Sequence, residues 1–313
     1  MRAIQITTHD GPESVEFVQV SEPFDDEMVV VEVKAAGVAF PELLQRRGLY
    51  QISPELPFIP GAEVAGMVVS APKPSGLCAG DRVAALPMLG GFAERVLSRP
   101  DRTFRLPDEV TFEEGASFLF NYATVYFALI ERGALQEGES VLVHGAAGGI
   151  GTASIQMAKA FGAGRIVGVV STEEKGRIAL AAGADEFVLV EGFRETVGRS
   201  IDVVVDPVGG DRFTDSLRTL RGHGRLLVIG FTAGEIPKVK VNRLLLNNIS
   251  VVGIGWGAYA LERAVHLANE WEAMLPYLRS GALRPVVGPS FALEDAAAAL
   301  QCLDQRVATG RSC

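Results

Sequence analysis

The strongest local signal is the stretch Val141-Leu-Val-His-Gly-Ala-Ala-Gly-Gly-Ile-Gly151. Residues 140–144 read as a short buried β-run, and residues 150–161 have helical periodicity. Between them, glycines at 145, 148 and 151 are spaced three apart, a variant of the G-x-G-x-x-G fingerprint. Each glycine has a physical task. A tight turn needs Gly145. A pyrophosphate lying on the helix N-terminus needs close backbone approach at Gly148 and Gly149, with Ala147 and Ile150 completing the loop that holds it. Packing of helix on strand needs Gly151. A strand, a glycine loop and a helix in this order predict a dinucleotide site.

Beyond this loop, strand-like and helical segments alternate. Residues 165–170, 186–190, 201–205, 225–229 and 249–252 read as strands, and residues 173–182 and 211–220 as helices. This alternation predicts an α/β, doubly wound parallel sheet covered on both faces. The first ~120 residues differ, being strand-rich and often broken by Pro and Gly. Residues 28–34, 63–69, 82–86 and 92–96 predict an irregular β-barrel. Thr111-Phe-Glu-Glu114 is a helix-start signature, and a second apolar helix is expected over residues 122–132. Two more helices are expected at 261–280 and 293–305. The uncharged stretch 244–261 contains Asn247, Asn248 and three glycines, so it reads as buried strand plus loop and not as a membrane span.

The composition sets bounds. In 313 residues, 48% are hydrophobic, 21% are charged and the formal charge is -9, which excludes disordered and collagen-like classes. No basic run appears, so no nucleic-acid partner is expected. Cys78, Cys302 and Cys313 lack the spacing of a zinc knuckle or redox pair and suggest a reducing compartment. With no signal-peptide core at the N-terminus, a cytoplasmic protein is the expectation.

The second strand of the nucleotide sheet bears on which dinucleotide binds. A protein preferring NAD usually carries an acid at its end. Here Gly168-Val-Val170 runs into Ser171-Thr172, with Lys175 one turn later. A small hydroxyl and an ammonium suit a 2′-phosphate, which favours NADPH over NADH. Ser171 with Glu174 is also a plain capping box. Glu173 and Glu174 would oppose a phosphate if they faced inward.

The chain as a whole resembles the zinc-independent medium-chain dehydrogenase/reductases of the quinone oxidoreductase type. The resemblance is carried by Ala36-Gly-Val38 before Phe40-Pro-Glu-Leu43, Gly48-Leu-Tyr50, Pro60-Gly-Ala-Glu63 and Gly80-Asp-Arg-Val83. Further on come Gly91-Phe-Ala-Glu94, Asn121-Tyr-Ala-Thr-Val-Tyr126, the glycine loop, Asp206-Pro-Val-Gly-Gly210, Val228-Ile-Gly-Phe231 and Ala308-Thr-Gly-Arg311. It implies a GroES-like catalytic domain split over residues 1–122 and 258–313, a Rossmann domain at 123–257, and an active site in the cleft. It also implies a homodimer paired through the last Rossmann strand, residues 249–256, which fits the apolar character of that stretch.

The zinc-binding relatives carry Gly-His-Glu where this chain has Gly61-Ala62-Glu63. None of His9, His144, His223 or His266 shows an i+4 partner or a nearby cysteine, so no metal is expected. The chemistry implied is hydride delivery from NADPH to an already electrophilic small molecule, a quinone or a conjugated enone. The resemblance places Tyr50 and Thr124 near the nicotinamide, Tyr50 as the acid. Gly230, Phe231 and Gly255 come beside the coenzyme, Phe40 and Trp256 in the substrate pocket, and Arg311 near the coenzyme phosphates. Ala39 and Val190 depart from an asparagine and a tyrosine common in relatives. Relatives also continue past Arg311 into a final strand, so a closing strand is missing or the chain was cut. Two other readings stay open: an enoyl-thioester reductase, and an NADPH-binding sensor or structural protein with little turnover.

Overall fold

The early alternation of valines with polar residues becomes antiparallel sheet. The computed structural model describes residues 1–10, 14–50 and 54–305. Strands β1 (Arg2–Ile6) and β2 (Val15–Gln19) pair with each other. β3 (Val29–Ala36), β4 (Val64–Ser70), β5 (Arg82–Ala85), β6 (Arg95–Ser98) and β7 (Thr103–Arg105) form a second sheet in the order β6-β3-β4-β5-β7. Val29, Val31, Val64, Val68, Val83 and Val96 pack as its core, because period-2 alternation sends one face inward. Helix α1 (Phe40–Arg46) follows β3. The predicted capping box opens α2 (Phe112–Gly115). Thr111 Oγ1 accepts the Glu114 N–H at 3.2 Å, and a Glu114 carboxylate oxygen accepts the Thr111 N–H at 2.9 Å.

Helix α3 (Leu119–Tyr126) continues as a π-helical segment at Phe127–Arg132, where the pattern predicted one regular helix. Next come β8 (Ser140–His144), α4 (Gly149–Ala160), β9 (Arg165–Val170), α5 (Glu173–Ala181), β10 (Glu186–Leu189) and α6 (Phe193–Val197). β11 (Ile201–Asp206), α7 (Arg212–Thr219), β12 (Leu220–Val228), α8 (Asn242–Asn247) and β13 (Ser250–Gly253) complete the alternation. The six strands lie parallel in the order β10-β9-β8-β11-β12-β13. Val141, Leu142, Val143, Val203, Val204 and Val205 are fully buried, as expected of central strands with both faces covered. The chain starts in mid-sheet at β8, winds out to β10, and returns on the other side at β11. β8 and β11 therefore flank the topological switch point.

One expectation fails in this half. Residues 244–261 are not simply buried strand plus loop. Leu245 and Leu246, on α8, are 76% and 75% exposed. β13 is the outermost strand, with β12 on one side only.

The chain ends in α9 (Trp256–Ala260), α10 (Ala264–Ser280) and α11 (Ala296–Asp304). Two compact units result. One holds Met1–Phe120, Ala264–Leu275 and the chain from Pro285; the other holds Asn121–Arg263 and Pro276–Arg284. The chain thus rejoins the nucleotide unit for residues 276–284. Gln156 on α4 holds it there, donating to the Arg284 carbonyl and accepting the Arg284 N–H, each at 2.8 Å. Among the described residues no helix is long and apolar enough to cross a membrane.

Candidate functional site

Strand register places the candidate residues along one edge. His144 lies beside Val169, Val143 beside Val205, Asp206 beside Val228, and Val228 beside Gly253. The loops that start at Gly145, Ser171, Pro207, Ile229 and Ile254 therefore all leave the carboxyl edge of the sheet, where doubly wound folds bind ligands.

The glycine loop makes the tight turn that its first glycine predicts. Gly145 has φ +61°, a left-handed turn that favours glycine. Gly148 precedes α4 in extended conformation, and no side chain caps the helix. The first N–H groups of this twelve-residue helix keep their positive end toward the loop. A Cβ on Gly148 would meet only the Gly145 carbonyl oxygen, at 3.4 Å, an ordinary contact. Gly149 is different. A Cβ there would lie 2.6 Å from Asn121 Nδ2, so the end of that α3 side chain would have to shift to admit it. Asn121 belongs to one of the family motifs, which by itself assigns it no role. α3 is held along α4 by the Tyr122 hydroxyl, which donates to Gln156 Oε1 at 2.7 Å. Thr124, two residues on, is buried.

At the end of β9 the expected capping box does not form, and a single N-cap sits one residue later. Thr172 is the N-cap of α5, its Oγ1 accepting the Lys175 N–H at 3.3 Å. The strand runs to Val170 and the helix begins at Glu173, so Ser171 lies too early to cap. Ser171 is exposed, Lys175 is half-buried, and Glu173 and Glu174 are exposed.

Asp206 is a residue that sequence reasoning missed. It is buried, and its Oδ1 accepts the N–H groups of Val208 and Gly209, both at 2.9 Å. This shapes the loop after β11, where Gly209 and Gly210 have φ +67° and +73°. A Cβ on Gly209 would lie 2.9 Å from the Phe231 ring. Phe231, 36% exposed, thus stands beside this loop, with Gly230 before it. Gly255 is exposed, but Trp256 is only 2% exposed. Its indole is part of the packing and not an open pocket wall.

Tyr50 belongs to the other unit. The nearby α1 carries Glu42, fully buried, whose two oxygens accept the N–H groups of Ala39 and Ala62, each at 2.9 Å. Glu63 Oε1 accepts the Phe120 N–H at 3.0 Å. Burial, and then the Glu42 carboxylate, push the Tyr50 phenol above its ordinary value near 10. The phenol therefore stays protonated at neutral pH. Phe40, first residue of α1, is half-buried.

The histidines need one correction. His266 does have an i+4 partner, because one helical turn of α10 sets its Nε2 3.3 Å from Glu270 Oε1. His9 Nδ1 lies 3.1 Å from the Arg46 carbonyl oxygen. His223 is exposed in a left-handed conformation, φ +67°. Arg311 lies outside the described residues.

Comparison with known proteins agrees with this geometry. Residues 25–108 match the alcohol dehydrogenase GroES-like domain, and residues 149–278 match the family described as zinc-binding dehydrogenase. The chain is 35% identical to quinone oxidoreductase-like protein 2 of Bos taurus, over 92% of this chain and 85% of that one. A probable oxidoreductase of Mycobacterium abscessus superposes with TM-score 0.91 at 41% identity, covering 100% and 97% of the two chains. The quinone oxidoreductase of Thermus thermophilus, solved also in complex with NADPH, superposes with TM-score 0.87 at 35% identity, covering 99% and 98%. With a GroES-like domain joined to a parallel Rossmann sheet, and alanine at position 62 between Gly61 and Glu63, the chain belongs to the zinc-independent, quinone oxidoreductase-like branch of the medium-chain dehydrogenase/reductases.

Proposed function

We propose that this protein is an NADPH-dependent reductase that transfers a hydride to a quinone or an α,β-unsaturated carbonyl, and that it works as a homodimer. One observation carries the reading. The N-terminus of α4 carries no side-chain cap, and a Cβ at Gly148 would touch only the Gly145 carbonyl oxygen, at 3.4 Å, in a chain 35% identical to an enzyme solved with NADPH. A helix end of this kind favours a diphosphate through its N–H groups and its dipole. Gly148, Gly149 and Ile150, with Ala147 beneath, would hold that group. Ser171 and Lys175 would meet the 2′-phosphate, with no acid at the end of β9 to favour a free ribose hydroxyl. Thr124, Gly230, Phe231 and Gly255 would border the nicotinamide end, and Arg311 would approach the phosphates. NADPH supplies the hydride when bound.

The remaining work falls to the protein. A quinone or enone carbon is already electrophilic. The protein has to orient it, exclude water and stabilise the charge that develops on the acceptor oxygen. Tyr50, protonated throughout the neutral range, is the donor to that oxygen. Phe40, at the start of α1, and Trp256, buried within the nucleotide unit, are the residues proposed for the substrate side. The dimer reading is supported by β13, an edge strand beside the exposed leucines of α8. An apolar edge of this kind is a pairing surface.

The test is coenzyme-dependent turnover, followed as NADPH or NADH oxidation with 1,4-benzoquinone, 9,10-phenanthrenequinone, an alkenal and crotonyl-CoA. Turnover of quinones or the alkenal with NADPH supports the assignment. Turnover of crotonyl-CoA alone would make the protein an enoyl-thioester reductase. NADPH binding without turnover on any acceptor would make it a coenzyme-binding protein without this activity.

A further inference from the structure

His144 is the last residue of β8, directly before Gly145. Its side chain is fully buried, and the reaction does not use it. Nε2 lies 2.7 Å from Ser216 Oγ on α7, while Nδ1 has no hydrogen-bond partner among the described residues. The ring stands edge-on to Phe193, with centroids 5.2 Å apart and an interplanar angle of 89°. The hydrogen bonds assign the tautomer. The single proton of Ser216 is donated to the Arg212 carbonyl at 2.9 Å, so the serine oxygen accepts from His144 and the imidazole proton is on Nε2. The opposite tautomer would bury an N–H at Nδ1 with no acceptor. That is worse than a bare lone pair, because a buried unsatisfied donor pays its full desolvation. The neighbouring carboxylate of Asp206 is already engaged by Val208 and Gly209.

The bond spans two elements. β8 delivers the glycine loop, and α7 follows the Asp206 loop on the other side of the switch point. We infer that His144 is a positioning residue for the coenzyme: as the neutral Nε2–H tautomer it clamps the start of the glycine loop to Ser216 on α7, fixing the N–H groups that receive the diphosphate. The inference rests on the reading of that loop as an NADPH site.

The experiment measures the Kd for NADPH by fluorescence, kcat at saturating NADPH, and the ¹⁵N spectrum of the histidine ring. Ser216→Ala and His144→Phe are expected to raise Kd about tenfold with kcat within about twofold, equivalent to one buried hydrogen bond of about 1.4 kcal/mol. His144→Gln keeps an N–H at similar reach and is expected to restore Kd to within about threefold of the parent. The wild-type spectrum is expected to show a protonated Nε2 and a bare Nδ1. If both removal variants bind NADPH as the parent does while losing thermal stability, His144 is packing alone and the inference is overturned. A ring protonated on Nδ1 overturns it equally. If the unaltered protein binds no NADPH, the coenzyme reading falls and this inference falls with it.

Discussion

Gly151 sits so close to the carbonyl of Gly145 that a Cβ on it would lie 2.1 Å from that oxygen, and 2.7 Å from the Ala146 Cα. Both neighbours are backbone and cannot rotate away. Gly148, three residues earlier, has room for a Cβ at ordinary contact distance and an ordinary extended conformation. The two glycines should therefore separate folding from binding. Gly151→Ala should destabilise the protein by at least about 2 kcal/mol in urea unfolding, because overpacking here moves backbone. Gly148→Ala should leave the Tm within about 2 °C and raise the NADPH Kd at least about tenfold, because its methyl enters the space given to the diphosphate. A Gly148→Ala variant that binds NADPH normally would remove the diphosphate from this loop.

Lys175 can be tested without disturbing the helix that carries it. Its backbone N–H serves the Thr172 cap, and that bond survives truncation of the side chain. Lys175→Ala should weaken NADPH about tenfold and NADH less than about twofold, as expected for one partly exposed charged contact to a 2′-phosphate. Equal effects on the two coenzymes would remove Lys175 from the phosphate site. Ser171→Ala, at an exposed hydroxyl that does not cap α5, should act in the same direction but more weakly.

What is legible in the sequence follows from the range of the interactions. The glycine loop, the Thr111–Glu114 capping box and the alternation of strands and helices are local patterns, and they read correctly because neighbours in sequence determine them. The local pattern marks Gly149 as an approach point for phosphate. Its nearest constraint is Asn121, which arrives from another helix and leaves no mark in that pattern. Asp206 is visible in the sequence only as part of a motif, because its task of holding two N–H groups appears only when the chain turns back. The cap of α5 falls on Thr172 and not Ser171, since two adjacent hydroxyl residues differ there only in backbone angles. The leucines of α8 look like core because hydropathy does not say which face of the sheet edge a helix takes.

Tyr50 is predicted to act as an acid whose proton is not lost in the working range. Burial and the Glu42 carboxylate both disfavour the phenolate, raising its titration above pH 10. The rate attributable to Tyr50 should be flat with respect to phenol ionisation below pH 10 and fall only above it. Tyr50→Phe should lower kcat with quinone at least about tenfold, with NADPH binding and Tm unchanged, in line with the modest end of general-acid effects. An unchanged rate would leave Tyr50 as packing.

The edge of the nucleotide sheet makes a separate prediction about assembly. β13 has β12 on one side, and Val251 and Val252 are half-buried on it. If a second copy pairs there, Leu246→Glu on α8, at a position 75% exposed in one copy, should split the dimer, because burying an uncompensated carboxylate at an interface opposes association. Light scattering coupled to size exclusion should then show the mass halved, with coenzyme binding retained. A wild-type protein that runs as a monomer would exclude the interface altogether.

His144 predicts how stability depends on acid. Burial lowers its pKa in the folded protein from 6.5 to about 4, with the facing Asp206 opposing that change and Arg212 adding to it. The unfolded chain binds a proton near pH 6.5, while the folded ring stays neutral until about pH 4. Between those values the unfolded state holds more protons, so the stability contributed by the neutral ring is fully present above pH 6.5 and is lost as the pH falls toward 4. Below that both states are protonated and the loss stops. The full drop is at most about 3 kcal/mol. Urea unfolding followed from about pH 7.5 down to about pH 4 should show a steeper decline for the parent than for His144→Gln, which has no proton to gain. Parallel pH dependences in the two proteins would mean that the buried ring is protonated in the fold as readily as in the unfolded chain.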